Sequence, residues 1–161
     1  MSNDGTSLIR TLRHPLKFRL YLLSNLPNAL FAGVRIRNLG EEICEVSVPY
    51  KWFTKNPFRS TYFACLGMAA EMSTGALCLA HIHNSKRAVS MLVVRMESEY
   101  FKKATGRTYF VCEDGLVIKQ AIADAIASGE PRTIRARSVG KNDKGIVVAE
   151  FYITWSFKAK K

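Results

Sequence analysis

Sequence motifs for metal, nucleotide or serine-hydrolase chemistry are missing from this chain of 161 residues. It has no CxxC pair, and its three histidines lack the spacing of a two-histidine metal site with a carboxylate. Gly115 and Gly129 stand alone, so there is no glycine-rich phosphate loop, and no Gly-x-Ser-x-Gly elbow is present. We therefore predict that the protein holds no metal ion and no resident cofactor.

Features of exported proteins are also scarce. Four widely spaced cysteines, Cys44, Cys65, Cys78 and Cys112, lie among apolar neighbours, which is typical of buried free thiols. Basic residues interrupt every apolar run near the start of the sequence, so no signal-peptide core is recognisable. The predicted location is the reducing cytoplasm.

One apolar run is long enough to cross a bilayer. Residues 61–82 contain Glu71 as their only charged side chain. A carboxylate at the centre of a spanning helix costs about 2.5 to 3.5 kcal/mol on insertion, and Ser73 and Thr74 weaken the apolar drive further. We predict that this run is the core helix of a folded domain and not a transmembrane segment.

Acidic residues are few: the chain has 13 Asp and Glu against 24 Lys and Arg, which gives a net charge of +11. A positive charge of this size favours anionic partners. Nucleic acid, an acidic lipid surface and the phosphates of coenzyme A or of a phosphopantetheine arm all meet this condition, as does a basic surface kept for solubility. Arg135 and Arg137, in the basic stretch of residues 132–144, could bind coenzyme A phosphates or protect a strand edge.

Periodicity predicts an α+β domain. A hairpin with strands near Val34 and Val46 is followed by a helix over Arg59–His81 that is apolar on every side, which indicates burial all round. An antiparallel sheet of about six strands has to wrap this helix. The downstream strands are predicted over Val89–Met96, Gly106–Cys112, Arg132–Ser138 and Ile146–Phe157, with a shorter helix over Gly115–Ser128 that Asp114 caps.

Residues 1–31 are predicted to form a helical segment packed on a single domain of residues 32–161. Leucines at helical spacing indicate a helix over Ser7–Leu23, which Pro15 splits in two. The basic residues of this helix also suit a helix that lies on a membrane surface.

Glu71 is the strongest candidate for a functional group, because a carboxylate in an apolar helix must be paired, solvated by a pocket or protonated. Gly67 and Gly75, one turn away on each side, leave room beside it for a ligand or a partner helix. A desolvated glutamate of raised pKa can act as a general base or as a nucleophile. The alternative is an ion pair with an arginine such as Arg95, or a hydrogen bond to the backbone.

The residues before the core helix supply further candidates. Asn56 could orient substrate or water, although an Asn before a Pro is also common in turns. The amides near Tyr62 and Phe63 could polarise a carbonyl group through the helix dipole. The Tyr62 side chain could donate a hydrogen bond or simply pack in the core.

These patterns resemble the hotdog superfamily of acyl-CoA thioesterases and dehydratases, over residues 32–158. The order of hairpin, long buried helix and antiparallel strands is similar. Glu71 lies 15 residues after Asn56, where that superfamily has its acidic residue. Arg59 replaces the usual Gly, and Tyr62-Phe63-Ala64 replaces the usual His-Gly-Gly.

More narrowly, the chain resembles an uncharacterised branch of thioesterase-like proteins. In that branch an Asn-Pro-Phe run leads into the helix, an Ala-Ala-Glu follows, and a Gly lies four residues later. Asn56-Pro57-Phe58, Ala69-Ala70-Glu71 and Gly75 match this pattern.

The resemblance implies a thioesterase-like hydrolase of an acyl-CoA or acyl-carrier thioester, with the coenzyme A thioester as substrate and not as cofactor. It also implies a homodimer or a dimer of dimers, since hotdog pockets form where two protomers meet. Glu71 would be the base or nucleophile, and Asn56 and Tyr62 would position the substrate. The other substrate-binding candidates are Ser60, Thr61, Phe63, Gly67, Gly75, Arg135 and Arg137.

Two other functions stay open at this point. The loss of His-Gly-Gly also suits a hotdog protein that holds an acyl or lipid chain without cleaving it. A basic nucleic-acid-binding module rests on charge and scattered aromatic residues alone, without a recognisable motif.

Overall fold

The computed structural model describes residues 10–12 and 14–160. In chain order its elements are α1 (Pro15–Asn25), α2 (Pro27–Ala32), β1 (Arg35–Leu39), β2 (Cys44–Val48), a 3-10 helix (Trp52–Thr54), α3 (Phe63–Asn84), β3 (Val89–Tyr100), β4 (Thr108–Cys112), α4 (Gly115–Ser128), β5 (Arg132–Asn142) and β6 (Val147–Ala159). The predicted start of the N-terminal helix, Ser7, lies outside the described residues. α1 begins at Pro15, with His14 as its N-cap residue.

Within the described residues, six strands form one antiparallel sheet in the order β1-β2-β4-β5-β6-β3. The sheet curves around α3, whose 22 residues are mostly buried. In β6, for example, alternate residues Phe151, Ile153, Trp155 and Phe157 are buried on the α3 side. This confirms the predicted hotdog fold, a long central helix wrapped by an antiparallel sheet.

α3 has no polar side, which is why it lies in the centre of the fold. By length and composition it could span a bilayer, but 67% of its apolar window is buried inside the protein. It begins at Phe63, later than the predicted start at Arg59. The reason is a closed turn over residues 56–60, in which Arg59 has a left-handed φ of 59° and the amide of Asn56 donates to the Ser60 carbonyl.

Buried hydroxyl groups fix the position of α3 against the sheet. Ser73 Oγ lies 2.7 Å from Ser138 Oγ of β5, and Trp155 Nε1 of β6 donates to Thr74 Oγ1 at 2.9 Å. Both helix hydroxyls also donate to carbonyls of the preceding turn of α3. Each of these polar groups therefore has a partner, and their burial avoids the penalty of an unsatisfied group.

The sheet does not close completely around α3. β1 and β3 are its two edges, and they approach each other where Ile36 of β1 and Met91 of β3 line the same cavity. We call the gap between these two edges the seam. α1 and α2 cover the seam, and Phe18 and Leu22 of α1 are buried in the same core as α3.

β3 is longer than predicted, because it continues past Met96 to Tyr100. Its pairing with β6 shifts register at Val94, which marks a β-bulge. The bulge inserts one residue into the in-and-out alternation of the strand. Met96, Ser98 and Tyr100 therefore lie on the α3 side, where Ser98 pairs with the buried Phe151.

α4 has the predicted bounds, and its apolar stripe of Ile118, Ile122 and Ala125 is buried. The predicted role of Asp114 is wrong, because its side chain makes no capping hydrogen bond. Asp114 Oδ2 instead accepts the amide of Arg137 of β5 at 2.6 Å. The pairing of β4 with β5 ends at Val139, so the Arg137 amide has no partner on β4 and donates to the carboxylate instead.

All four cysteines are buried and free, as predicted. Burial raises the pKa of the Cys112 thiol to about 12, and it also raises the pKa of Cys65 and of Cys78. Cys44 lies opposite Cys112 in the pairing of β2 with β4. The thiols pack as small apolar groups and are not exposed nucleophiles.

The contact between α4 and the β1–β2 turn predicts a sensitive position at Gly115. A Cβ atom there would clash with the backbone oxygen of Glu41 and lie 2.6 Å from Cα of Glu42, so the turn would have to move. We expect Gly115→Ala to lower the free energy of unfolding by about 1 to 3 kcal/mol, as overpacking does, in urea denaturation. Gly40→Ala is the matched control, because its Cβ would meet only an ordinary contact at 3.5 Å. Equal stability of the two variants would contradict this packing.

Candidate active site

Glu71 lies half-buried on α3, on the side of the helix that faces the seam. Its carboxylate forms no ion pair or hydrogen bond with the part of the chain that the structure describes. Burial raises the pKa of Glu71 above its ordinary value of 4.5, because the neutral form is easier to remove from water. The alternative pairing with Arg95 is wrong: Arg95 lies on the outer face of β3 and pairs with Glu97 at 3.1 Å.

Three cavities meet at Glu71. The front cavity, of about 480 Å³, lies between the first turns of α3 and the end of β3, where Phe63, Gly67 and Tyr100 line it. The seam cavity, of about 80 Å³, lies between α3 and α1. The side cavity, of about 320 Å³, lies beneath the turn of residues 25–29. The sequence left Glu71 either paired, solvated by a pocket or protonated. In the structure its carboxyl group faces a pocket.

The glycines on the two sides of Glu71 differ in what surrounds them. A Cβ atom on Gly75 would lie 3.1 Å from Glu71 Oε1 and 3.3 Å from the Trp155 ring, so the carboxylate lies directly against bare backbone. A Cβ atom on Gly67 would meet only Phe151, at an ordinary 3.6 Å. The missing side chain of Gly75 thus leaves space for the Glu71 carboxylate, whereas that of Gly67 widens the front cavity.

Asn56, Ser60 and Thr61 lie in the turn before α3 and line a separate entrance groove, which adjoins the front cavity at Phe63. Asn56 Oδ1 accepts the amides of Phe58 and Ser60 at 3.0 and 3.2 Å, and Asn56 Nδ2 donates to Ser60 Oγ at 3.1 Å. Thr61 Oγ1 donates to a backbone carbonyl in the loop after β3 at 3.0 Å. The polar atoms of Asn56 thus hold the turn together, and they do not lie with Glu71.

Tyr62 and Phe63 mark the start of α3. Phe63 lines both the front cavity and the entrance groove, and the Tyr62 ring packs edge-on against it at 4.8 Å between centroids. The Tyr62 amide donates to the carbonyl of Thr54 at 2.7 Å. The expectation that this amide polarises a substrate is therefore wrong. The next amides, of Phe63 and Ala64, are the first of the helix and have no backbone acceptor among residues 14–160.

A known family extends over most of this architecture. The family described as a domain of unknown function, DUF4442, matches residues 17–157, from α1 into β6. The chain belongs to the DUF4442 family. No curated protein is significantly similar to it in sequence.

Solved structures share the fold of this DUF4442 chain at low sequence identity. A Pseudomonas aeruginosa protein of unknown function, described as a probable thioesterase, is 21% identical with a TM-score of 0.77, over 91% of this chain and 97% of that chain. A Chlorobaculum tepidum protein of unknown function is 14% identical with a TM-score of 0.79, over 97% of both chains. A Haemophilus influenzae thioesterase is 13% identical with a TM-score of 0.65, over 91% of both chains. These likenesses show that the DUF4442 chain shares the hotdog fold of these proteins.

The structure does not bring Arg135 and Arg137 of the DUF4442 chain to these cavities. They are exposed residues of β5 that alternate with buried ones, so they point away from α3. Arg135 pairs with Glu97 at 3.0 Å and Arg137 with Glu150 at 2.6 Å. The hydrogen bonds of the second pair raise the pKa of Arg137 and lower the pKa of Glu150. The sheet separates both arginines from Glu71, which corrects the predicted grouping.

Two walls of the DUF4442 site were missed by sequence reasoning. Met96, Ser98 and Tyr100 line the front cavity, but the polar run after Met96 suggested that the strand had ended. Phe18 and Leu26 line the seam cavity. Leucine spacing indicates a packed N-terminal helix, although it does not say which side of α3 this helix covers.

The unpaired carboxylate predicts a pH-dependent stability. The pKa of Glu71 is higher in the folded state than in the unfolded state, so its protonated form adds to the free energy of unfolding. This contribution is fully present below about pH 4.5 and is lost as the pH rises through the folded-state pKa. We expect the urea midpoint of the native protein to fall relative to that of Glu71→Gln between about pH 4 and pH 8. Glu130→Gln, at an exposed loop position, controls for the loss of one negative charge. A difference between native and Glu71→Gln that does not change with pH would contradict the assignment.

Proposed function

We propose that this protein is a thioesterase that hydrolyses an acyl-coenzyme A or acyl-carrier thioester, with Glu71 as the general base. The single observation that carries the proposal is the unpaired, half-buried carboxylate at the meeting point of three cavities. A raised pKa brings a carboxylate nearer to the range in which it accepts a proton efficiently at neutral pH. The thioesterase descriptions of two structural relatives support the same chemistry.

The proposed reaction balances without a cofactor. Glu71 accepts a proton from a water molecule, whose oxygen attacks the carbonyl carbon of the thioester. The carbon–sulfur bond then breaks, and the proton passes from Glu71 to the thiolate that leaves. The products are a carboxylic acid and a free thiol.

The start of α3 is suited to stabilise the negative charge that develops on the carbonyl oxygen. The positive end of the helix dipole and the free amides of Phe63 and Ala64 lie at the front cavity. Glu71 lies seven positions after Ala64 on the helix, a rise of about 10 Å. The glutamate side chain has to swing from its position over Gly75 towards the front cavity to share a thioester with these amides.

A second candidate function is acyl binding without hydrolysis. The observation that favours it is the hydrogen bond of the Tyr62 amide to Thr54, which removes one donor from the mouth of α3. The hydrolysis experiment below separates the two functions.

We also propose that the protein works as a homodimer that pairs through β3. This strand is 12 residues long and forms one edge of the sheet. Leu92 and Val94 on it are 65% and 52% exposed. A long apolar edge is a template for pairing with another strand.

The dimer proposal predicts the mass in solution. We expect light scattering to give twice the chain mass of 18.1 kDa at micromolar concentration. Leu92→Lys places a charge on this edge and is expected to lower the measured mass. Leu116→Lys, at an exposed position of α4, is the matched control. A native protein of single-chain mass would refute the proposal.

The proposed chemistry predicts the effect of removing the base. We expect Glu71→Gln to reduce kcat for acyl-coenzyme A hydrolysis by about 10² to 10⁴, as loss of a general base does. Release of coenzyme A across a panel of acyl chains is the measurement. Glu130→Gln, at an exposed loop position, is the control and should retain native turnover. Undiminished hydrolysis by Glu71→Gln would refute the role of Glu71, and no hydrolysis by the native protein would favour the binding function.

A further inference from the structure

The seam cavity is polar at one end and apolar along the rest of its length. Glu71 lies at one end, and from there the floor follows α3 through Gly75 and Ala76 to Leu79. The helix between residues 71 and 79 rises by about 12 Å. Among the described residues that line the cavity, Glu71 is the only one that carries a charge. The cavity therefore suits a ligand whose polar group lies at Glu71 and whose remainder is apolar.

The roof of the seam cavity belongs to the N-terminal segment. Phe18 and Tyr21 of α1 and Leu26 lie over it, while Ile36 of β1 and Met91 of β3 form its sides. These walls come from elements that are far apart in sequence. The cavity exists only because the sheet leaves the seam open and the N-terminal helices cover it.

The apolar space extends beyond the seam cavity. Leu26, Met72 and Glu71 line both the seam cavity and the side cavity, so the two spaces adjoin. Their volumes are about 80 and 320 Å³. A chain that enters at Glu71 thus has room both along α3 and beneath the turn of residues 25–29.

We propose that the seam and side cavities hold the acyl chain of the substrate, and that α1 and α2 set the chain length that fits. The identity of the ligand rests on the proposed thioesterase function. The thioester group lies at Glu71, with the coenzyme or carrier arm in the front cavity and the acyl chain beneath the N-terminal helices. A narrow apolar floor of about 12 Å suits a medium-length chain such as octanoyl or decanoyl. Removal of such a chain from water favours its binding.

Trp155 provides a test of binding that does not depend on hydrolysis. Its ring edge borders Gly75, whose missing side chain leaves the ring close to the cavity floor. Trp52→Phe removes the other tryptophan of the chain, which is largely exposed. In this background we expect a decanol brominated along its chain, an uncharged probe without coenzyme A, to quench the Trp155 fluorescence in a saturable manner. Unbrominated decanol should compete with it.

Variants that change the cavity test its role in selecting the chain length. Ala76→Leu fills the floor, and we expect it to lower kcat/KM for decanoyl-coenzyme A by about tenfold or more relative to acetyl-coenzyme A. It should weaken quenching by the same probe. Ala123→Leu, at an exposed position of α4, is the matched control and should change neither.

An enlarging variant keeps the proposal testable if the filling variant does not fold. Leu26 is partly exposed, so its truncation should be tolerated. We expect Leu26→Ala to shift the preferred substrate from decanoyl- towards palmitoyl-coenzyme A.

The outcomes separate this proposal from the function on which it rests. Saturable quenching without turnover supports the acyl cavity, although the thioesterase function then fails. The opposite result is turnover without quenching, in which neither the variant at residue 26 nor the variant at residue 76 changes the preferred chain length. It would refute the acyl-chain role of the cavities and leave the thioesterase function intact.

Discussion

An α-helix that is apolar on every side is stable in water only when other elements cover all of it. In this protein the hairpin before α3, the four strands after it and α4 supply most of the cover, and α1 and α2 cover the remaining side at the seam. The sheet packs more closely against α3 than the N-terminal helices do. On the sheet side, Phe151, Ile153 and Trp155 are buried against the helix. On the seam side, where helices meet α3 without the regular spacing of strands, cavities remain.

The position of Glu71 follows from this unequal cover. A carboxylate on the sheet side would be surrounded by side chains with no space for water, and its ionisation would be very costly. On the seam side it has space around it, and its ionisation costs less, although burial still raises its pKa. The hydroxyl contacts of Ser73 and Thr74 hold the same two helical turns against the sheet. The helix thus combines a rigid anchored side with a side on which a charged group is tolerated, a combination frequent at functional sites.

The fold could be predicted from the sequence because its main signals are strong and local. The charge-free run around Glu71 has the composition of a fully buried helix, and β6 has an unbroken alternation from Phe151 to Phe157. Boundaries were less predictable: residues 59–62 contain no Pro or Gly that would mark a later start of the helix, yet the hydrogen bonds of Asn56 close the segment before Phe63 into a turn. The candidate site was predictable only at its centre. A carboxylate in an apolar helix can be recognised from the sequence alone. The walls around it come from elements that are distant in sequence, and their relative positions depend on packing.

The β-bulge at Val94 determines which side chains the end of β3 offers to the front cavity. Before it, Met91 faces inward by simple alternation; after it, Met96, Ser98 and Tyr100 face inward only because one extra residue has been inserted. A regular strand of the same sequence, with Val94 paired to β6 and no bulge, would place Glu97 opposite Phe151 and Glu99 opposite Ala149. Both carboxylates would then turn towards α3 and approach Glu71. The extra residue at Val94, and not the residue types of β3 alone, therefore keeps this cavity wall from becoming acidic.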